Sequence, residues 1–237
     1  MGRVVLDRRS RRAAQTTAVL LACLLSGCVA AVPGPASRSD APDPLPATVA
    51  RAAGPATYAQ ALLAWGNAED IAAWVGPRFA YDTGRALQLS ETERGNGAAP
   101  AIIAPGELFE RPNGSCLDLA RFGVETLQRI DPESRPRYLM VEFEPLQLQG
   151  RTLRRHWLAS FRREGSVYVF ADSKRPWLVA GPYESVEAFI QEYERFRARS
   201  VVRFYETDSY QRRLRQTRSV APQHPTSPAD IVFPPEP

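Results

Sequence analysis

The sequence has few of the residues from which metal centres and nucleophilic sites are usually built. Its 237 residues include only three cysteines and two histidines. Beyond the first 27 residues neither type occurs as a closely spaced pair, which argues against a structural zinc site. A glycine-rich phosphate-binding motif and an internal repeat are also absent from the sequence. We therefore expect neither a metal ion nor a cofactor.

The sequence also lacks a charge imbalance once its N-terminal region is set aside. The whole chain has 30 Lys and Arg against 26 Asp and Glu. Residues 1–27 contain five Arg and a single Asp, so the remainder has 25 residues of each sign. A nucleic-acid-binding domain needs net or clustered positive charge. We therefore expect no nucleic-acid partner.

The N-terminal region is typical of an exported protein. Five arginines between positions 3 and 12 precede the apolar run AVLLACLLSGC, which is too short to span a bilayer stably. The run ends in LSGC, residues 25–28, which resembles the lipobox of bacterial lipoproteins. That resemblance implies cleavage after residue 27, loss of Cys23, and acylation of Cys28 as an anchor in the outer membrane, facing the periplasm. The alternative is an ordinary signal peptide in which Cys28 is incidental.

The rest of the chain divides into three parts. Residues 28–55 are rich in Pro and Ala and predict a semi-rigid tether. Residues 56–212 have the length of a single domain with one core, which we expect to be monomeric. Residues 213–237 are Pro-rich and predict a disordered tail.

Helical patterns precede strand patterns along the domain. An irregular excursion separates the first helices from the rest and covers residues 83–104, with a short helix at PGELFE directly after it. Helical spacing or capping signals occur over residues 57–66, 67–82 (stopped by Pro77), 115–130 and 185–199. Branched and aromatic residues predict strands over 137–145, 154–163, 166–173 and 200–208. This order predicts an α+β fold with a mostly antiparallel sheet.

Cys116 is the thiol that remains after Cys23 and Cys28 are assigned. Ser115 followed by Asp118 fits a capping box, which makes Cys116 the first residue of its helix. Unpaired amides and the helix dipole favour a thiolate there. A nucleophile also needs a base, and His156 is the credible partner because the other histidine lies in the Pro-rich tail. The alternative is that Cys116 is a small buried apolar residue.

The hairpin formed by the second and third strands supplies a candidate for the group that orients His156. A three-residue turn over 163–165 sets His156 opposite Asp172 and puts Gly165 where a left-handed residue is needed. A two-residue turn over 164–165 instead places the two side chains on opposite faces. We expect the three-residue turn, which brings Cys116, His156 and Asp172 together as a triad.

Three segments resemble the signatures of the transglutaminase-like superfamily of papain-type cysteine enzymes. They are NGSCLDLA, RHWLASF and YVFADS, and the preceding EDIAAWVGPRFAYD and PGELFERPNG are similar to bacterial transglutaminase-like cysteine proteinases. The resemblance implies a papain-like fold, with the nucleophile helix packed against the sheet, and an acyl-thioester intermediate. It makes Cys116 the nucleophile, His156 the general base and acid, and Asp172 the orienting group. Tyr81 or Trp74 would be the second oxyanion donor, as aromatic residues ahead of the nucleophile are in relatives.

The sequence departs from the calcium-dependent members of that group. They carry acidic residues beside the cysteine, whereas Ser115 and Leu117 stand there in this chain. A single remaining carboxylate is a poor site for a cation that takes six or more oxygens, so we expect no calcium requirement. Envelope attachment favours protein or peptidoglycan peptides as substrates. The alternatives are a peptidoglycan-cleaving papain-like hydrolase and a catalytically inactive binding module.

Overall fold

The computed structural model describes residues 39–49, 53–95 and 99–211 of the chain. The predicted signal peptide, the Cys28 anchor and the Pro-rich tail lie outside these residues. Among the described helices, none combines the length and the apolar character that a membrane span requires.

Helices occupy mainly the first half of the domain, and strands the second. The helices are α1 (Tyr58–Ala64), α2 (Ala68–Val75), α3 (Thr83–Gln88), α4 (Glu91–Gly95), α5 (Pro105–Glu110), α6 (Cys116–Ile130) and α7 (Val186–Arg197). The strands are β1 (Ala80–Tyr81), β2 (Asn113–Gly114), β3 (Arg137–Leu148), β4 (Arg151–Arg163), β5 (Ser166–Phe170), β6 (Ala180–Tyr183) and β7 (Val201–Thr207). The α+β prediction is confirmed.

A five-stranded antiparallel sheet organises the core. Its strand order is β6-β5-β4-β3-β7, and β1 and β2 form a separate two-stranded parallel ladder. Alternate side chains of β3 and β4 point to opposite faces. Met140, Trp157 and Ala159 pack in the cluster that contains α6, whereas Leu139 and Leu158 pack in the cluster that contains α7. The sheet therefore lies between α6 and α7.

Helix α6 is apolar on more than one side because it is buried in the centre of the domain. Leu119, Phe122 and Leu127 are all fully buried. Gly123 allows the closest approach to the sheet, since a Cβ added there would lie 2.7 Å from the Cβ of Ala171. This close packing fixes the position of α6 against the end of β5.

Residues 83–104 are more regular than their composition predicts. They contain α3 and α4, so the expectation of an irregular excursion is wrong for its first half. Short helices of this kind depend on tertiary contacts rather than on their own propensity. The Glu91 carboxylate accepts a hydrogen bond from the backbone N–H of Arg154, and Glu93 pairs with Arg151 at 3.0 Å, which holds α4 against β4.

The hairpin between β4 and β5 has a two-residue turn, so the predicted three-residue turn is wrong. Arg163 pairs with Ser166. Glu164 and Gly165 both have positive φ, at 52° and 79°, the backbone required by a type I′ turn, whose twist matches that of the strands. Continued in this register, the ladder would place Asp172 on the face opposite to His156.

Candidate active site

Cys116 begins α6, as predicted, and the capping box is present. Ser115 Oγ accepts a hydrogen bond from the Asp118 N–H at 3.4 Å, and an Asp118 carboxylate oxygen accepts from the Ser115 N–H at 2.8 Å. Only 7% of Cys116 is exposed. The box holds the first turn rigid, with the thiol at the positive end of a 15-residue helix.

Asp118 has a structural role at the start of α6. Its carboxylate is fully buried and accepts hydrogen bonds from the Arg85 guanidinium at 2.7 and 2.8 Å and from the Ile103 N–H at 2.8 Å. Burial would raise the pKa of Asp118, but the hydrogen bonds from Arg85 and Ser115 outweigh it and hold that pKa below its usual value. The side chain joins α3 and the segment before α5 to the start of α6.

His156 and Asp172 meet, although by a different route from the one predicted. Their Nε2 and Oδ1 atoms are 3.0 Å apart, and both residues are buried. Strand β5 ends at Phe170, and Ala171 has a positive φ of 53°, which turns the chain out of the ladder. The Lys174 N–H then donates to Asp172 Oδ1 at 2.9 Å and fixes the carboxylate. The bend therefore restores the pairing that the strand register alone would prevent.

The second ring nitrogen of His156 faces a different group. A His156 nitrogen, Cys116 Sγ and an Asp40 carboxylate oxygen all lie within 4.8 Å of one another. Nδ1 is 3.4 Å from Asp40 Oδ1 but has no aligned hydrogen-bond partner within the described parts of the chain. The structure thus brings Cys116, His156 and Asp172 together, with Asp40 added beside the thiol.

Asp40 belongs to the predicted tether, yet its segment is bound to the domain. Its carboxylate accepts a hydrogen bond from Arg197 Nη2 at 2.5 Å, and the Arg197 side chain is fully buried. Ser173 Oγ donates to the Asp40 carbonyl at 2.8 Å, and the Asp43 N–H donates to the Lys174 carbonyl at 2.9 Å. We call residues 39–43 the strap. The strap is held by side-chain and backbone contacts, so at least this part of residues 28–55 is not a free tether.

The electrostatic environment favours a protonated His156. Burial alone lowers the pKa of His156, but the electrostatic influence of Tyr193 and Asp40 and the contacts with the Asp172 and Asp40 carboxylates outweigh burial and hold that pKa well above its usual value. Burial raises the pKa of the nearby Tyr193 phenol to about 12, so that group is neutral near pH 7. Burial would also raise the pKa of Asp40, but His156 and Arg197 hold it far below its usual range. The resting site is therefore an imidazolium between two carboxylates.

The cavity at Cys116 is almost closed. Its volume is about 20 Å³, enough for roughly one water molecule and too small for a peptide bond. Asp40, Tyr81 and Trp157 are among the residues that line it. A substrate carbonyl can approach the thiol only if part of this lining moves, and Asp40, in the strap, belongs to a segment outside the helices and strands.

The two predicted oxyanion donors lie in different places. Tyr81 lines the cavity, and burial together with the nearby Asp40 raises its pKa well above 10, so its hydroxyl stays protonated. Trp74 stacks on Phe109 with ring centroids 4.3 Å apart, within the core cluster that contains α6. It is not among the residues that line the cavity. Tyr81 is thus placed at the site, and Trp74 is placed in the core.

Trp157 was not predicted as a site residue. It lines the cavity, is 5% exposed, and its buried Nε1–H has no hydrogen-bond partner among the residues described. Such an orphaned donor is rare in native proteins and needs an explanation. The sequence signal that could have found Trp157 was its position directly after His156 in a strand. Adjacent strand residues point to opposite faces of the sheet, so Trp157 points to the face on which α6 packs.

The atoms around Cys116 also form the one group of three potential metal ligands that the described residues contain: Asp40, Cys116 and His156. Sulfur and nitrogen donors are unsuited to calcium but suit zinc. The sequence-based expectation of no metal considered closely spaced pairs, whereas these three residues come from distant parts of the chain.

No protein-family model matches this sequence, and no curated protein aligns with it significantly.

Proposed function

We propose that this protein is a cysteine peptidase or amidase of the transglutaminase-like type, with a papain-like arrangement of α6 against the sheet. The observation that carries the proposal is the geometry at His156. Asp172 holds one ring nitrogen at 3.0 Å, the other has no aligned partner among the described residues, and a ring nitrogen lies within 4.8 Å of Cys116 Sγ. A nucleophile, a base and a group that orients the base are the parts that acyl transfer requires.

The first half of the proposed reaction forms a thioester. When Asp40 withdraws, the imidazolium loses its Nδ1 proton to water, neutral His156 then takes the proton of the Cys116 thiol, and the sulfur attacks the substrate amide carbon. A C–S bond forms, and the carbonyl oxygen becomes an oxyanion. The Cys116 backbone N–H and the Trp157 Nε1–H are the candidate donors to that oxyanion, with the Tyr81 hydroxyl as a third. When the tetrahedral intermediate collapses, the C–N bond breaks and the amine leaves with the proton from His156.

The second half removes the acyl group. His156 accepts a proton from water as that water attacks the thioester carbon, the C–S bond breaks, and Cys116 is regenerated as the carboxylic acid product leaves. An amine in place of water would give a transamidation product instead. Asp172 holds the ring in the tautomer that these transfers need, because it accepts the Nε2–H throughout.

The N-terminal sequence supports a location in the bacterial envelope. We propose that the chain is processed as a lipoprotein with Cys28 acylated, since two or three acyl chains give stable attachment. Substrates in that compartment are proteins or the peptide cross-links of peptidoglycan. A peptidoglycan-cleaving papain-like hydrolase is the closest alternative, and Asp172 as the third member argues mildly against it.

A binding module without activity is favoured by one observation, the closed cavity of about 20 Å³ at Cys116. The two possibilities differ in the reactivity of the thiol when the strap no longer covers it. A catalytic Cys116 is activated by His156, whereas a Cys116 retained for packing is not.

Alkylation by iodoacetamide separates these possibilities. The chain with Cys23→Ser and Cys28→Ser has Cys116 as its single thiol, and Asp40→Ala uncovers it. We expect this thiol to react at neutral pH at least ten times faster than free cysteine, and His156→Ala to remove the enhancement. His224→Ala, in the predicted tail, is the matched control and should change nothing. Equal rates for the His156→Ala and His224→Ala proteins would refute the proposal.

A further inference from the structure

The group formed by Asp40, Cys116 and His156 has the composition of a transition-metal site. It offers one carboxylate, one thiol sulfur and one imidazole nitrogen within 4.8 Å of one another. His156 is fully buried, and its Nδ1 has no aligned hydrogen bond in the described part of the chain. Nδ1 thus faces Asp40 Oδ1 at 3.4 Å without an aligned hydrogen bond, and a buried nitrogen in that position is an independent indication of a ligand site.

The distances fit a tetrahedral ion. Zinc lies about 2.0–2.3 Å from nitrogen, oxygen and sulfur ligands, which places neighbouring ligand atoms about 3.3–3.6 Å apart. His156 Nδ1 and Asp40 Oδ1 are 3.4 Å apart already. Cys116 Sγ lies within 4.8 Å of a His156 ring nitrogen and an Asp40 carboxylate oxygen, so a displacement of about 1 Å, within the range of a side-chain rotation, brings it to the third position.

The surroundings supply the outer contacts that such a site needs. Metal-bound histidines usually donate their other N–H to a carboxylate, which fixes the ring. Asp172 accepts from His156 Nε2 at 3.0 Å. Arg197 holds Asp40 at 2.5 Å and keeps the carboxylate beside the histidine. Two ligands and an outer shell are therefore in place before an ion binds, and the thiol is the ligand that has to move.

Charged groups around the site suit a cation. The carboxylates of Asp40 and Asp172 lie 3.4 and 3.0 Å from the His156 ring nitrogens, and Arg197 and Arg175 lie against those carboxylates. A divalent ion bound there displaces the proton of the Cys116 thiol, because the thiolate is the ligand.

We propose that Asp40, Cys116 and His156 bind one zinc-type divalent transition-metal ion, with the fourth position left to water. Binding joins the strap to the nucleophile and its base. It does not depend on the proposed function. One consequence does rest on that function: the ion withholds both the thiolate and the imidazole, so metal binding inhibits acyl transfer reversibly.

Cobalt(II) is the probe for the site, because a thiolate bound to cobalt gives a charge-transfer absorption in the near ultraviolet. The chelator-stripped chain with Cys23→Ser and Cys28→Ser is titrated with Co²⁺, and zinc is then added as a competitor. We expect one equivalent to produce the band and zinc to abolish it. Asp40→Ala should weaken cobalt binding at least tenfold, whereas Asp43→Ala, the matched acid of the strap, should leave it unchanged. Asp172→Ala should weaken it by about 10- to 100-fold.

Two results would overturn the metal site. The first is a chain that shows no thiolate band, or one that is unaffected by Cys116→Ser. The second is equal affinity in the Asp40→Ala and Asp43→Ala proteins, which would leave the strap out of the site. Alkylation measured in excess chelator tests the proposed function separately, because it needs no metal. An inert thiol with intact cobalt binding would reject the enzyme and retain the metal site.

Discussion

Two aspartates contact the His156 ring, one from the core of the domain and one from the strap before it. Asp172 follows β5 and is 3.0 Å from Nε2, whereas Asp40 is 3.4 Å from Nδ1. Burial would raise the pKa of both aspartates, but His156 and Arg197 outweigh burial and hold each pKa below its usual value. The two residues offer the same chemical group to the same ring, but on opposite sides of it.

The difference lies in which ring nitrogen has to react. Nε2 keeps its proton throughout the proposed reaction, so a carboxylate there orients the ring. Nδ1 must exchange a proton with the thiol, so a carboxylate there competes with Cys116 for the imidazolium. Identical groups can therefore support catalysis from the core and oppose it from the strap. Replacing each aspartate with alanine should therefore change the reactivity of the Cys116 thiol in opposite directions.

Asp172→Ala should give the largest effect. Without this carboxylate the ring loses its orientation and the tautomer that leaves Nδ1 free, so turnover or thiol activation should fall by about 10² to 10⁴-fold. The measurement is alkylation of Cys116 in the metal-free Asp40→Ala protein with and without Asp172→Ala. The alkylation rate of the Asp172→Asn protein should lie between the rates with and without Asp172→Ala. The Asn oxygen can still accept hydrogen bonds from the His156 Nε2–H and from the Lys174 N–H. An unchanged rate in the Asp172→Ala protein would remove Asp172 from the mechanism.

Asp40→Ala should change the alkylation rate of Cys116 in the opposite direction, and by a smaller factor. If the docked strap leaves the thiol open no more than a tenth of the time, freeing it raises the alkylation rate about tenfold or more. Asp43→Ala is the control, since it keeps the carboxylate at the site and weakens only the neighbouring contact with Lys174. A slower reaction in the Asp40→Ala protein would mean that Asp40 assists the site instead of covering it.

The stability of the same variant has a pH dependence whose direction follows from His156. The pKa of His156 is raised on folding, so the stability that this group contributes is complete below about pH 6.5 and is lost as the pH rises through the folded-state value. Asp40→Ala also leaves the buried Arg197 without its carboxylate, which should cost about 2–4 kcal/mol at neutral pH. In denaturant unfolding, the difference in the free energy of unfolding between the wild type and the Asp40→Ala variant should become smaller toward alkaline pH. A difference that grows toward alkaline pH would contradict the raised pKa of His156.

The local signals were sufficient for much of the fold. Ser115 and Asp118 predicted the start of α6, and the helical segments predicted from residues 67 and 185 do begin there, with Asn67 and Ser185 as the N-caps of α2 and α7. These caps depend on residues three positions apart, so the sequence contains the whole interaction. By contrast, α4 and β6 depend on contacts with distant strands, and neither was predicted.

The sequence predicted the site residues only where other residues of the same type could be eliminated. Cys116 and His156 could be paired because few thiols and imidazoles exist in the chain. Asp40 was missed because a Pro/Ala-rich composition indicates a tether, although Asp40 and Asp43 are the only acids in residues 28–55. Its role comes from Arg197, which is 157 positions away. Contacts of that range leave no periodic pattern for a single sequence to show.

The smallest predicted effect concerns the turn that decides how Asp172 reaches His156. Glu164 adopts a positive φ of 52° in the two-residue turn and is exposed. Asn tolerates that conformation better, so Glu164→Asn should raise the free energy of unfolding by about 0.5–1 kcal/mol. Gly165→Ala should lower it by about 1 kcal/mol, because its φ of 79° disfavours a side chain. In a three-residue turn residue 164 would have negative φ, and Asn there would bring no gain. Denaturant unfolding of Glu164→Asn thus tests whether Asp172 meets His156 through the bend at Ala171 or through a shifted ladder.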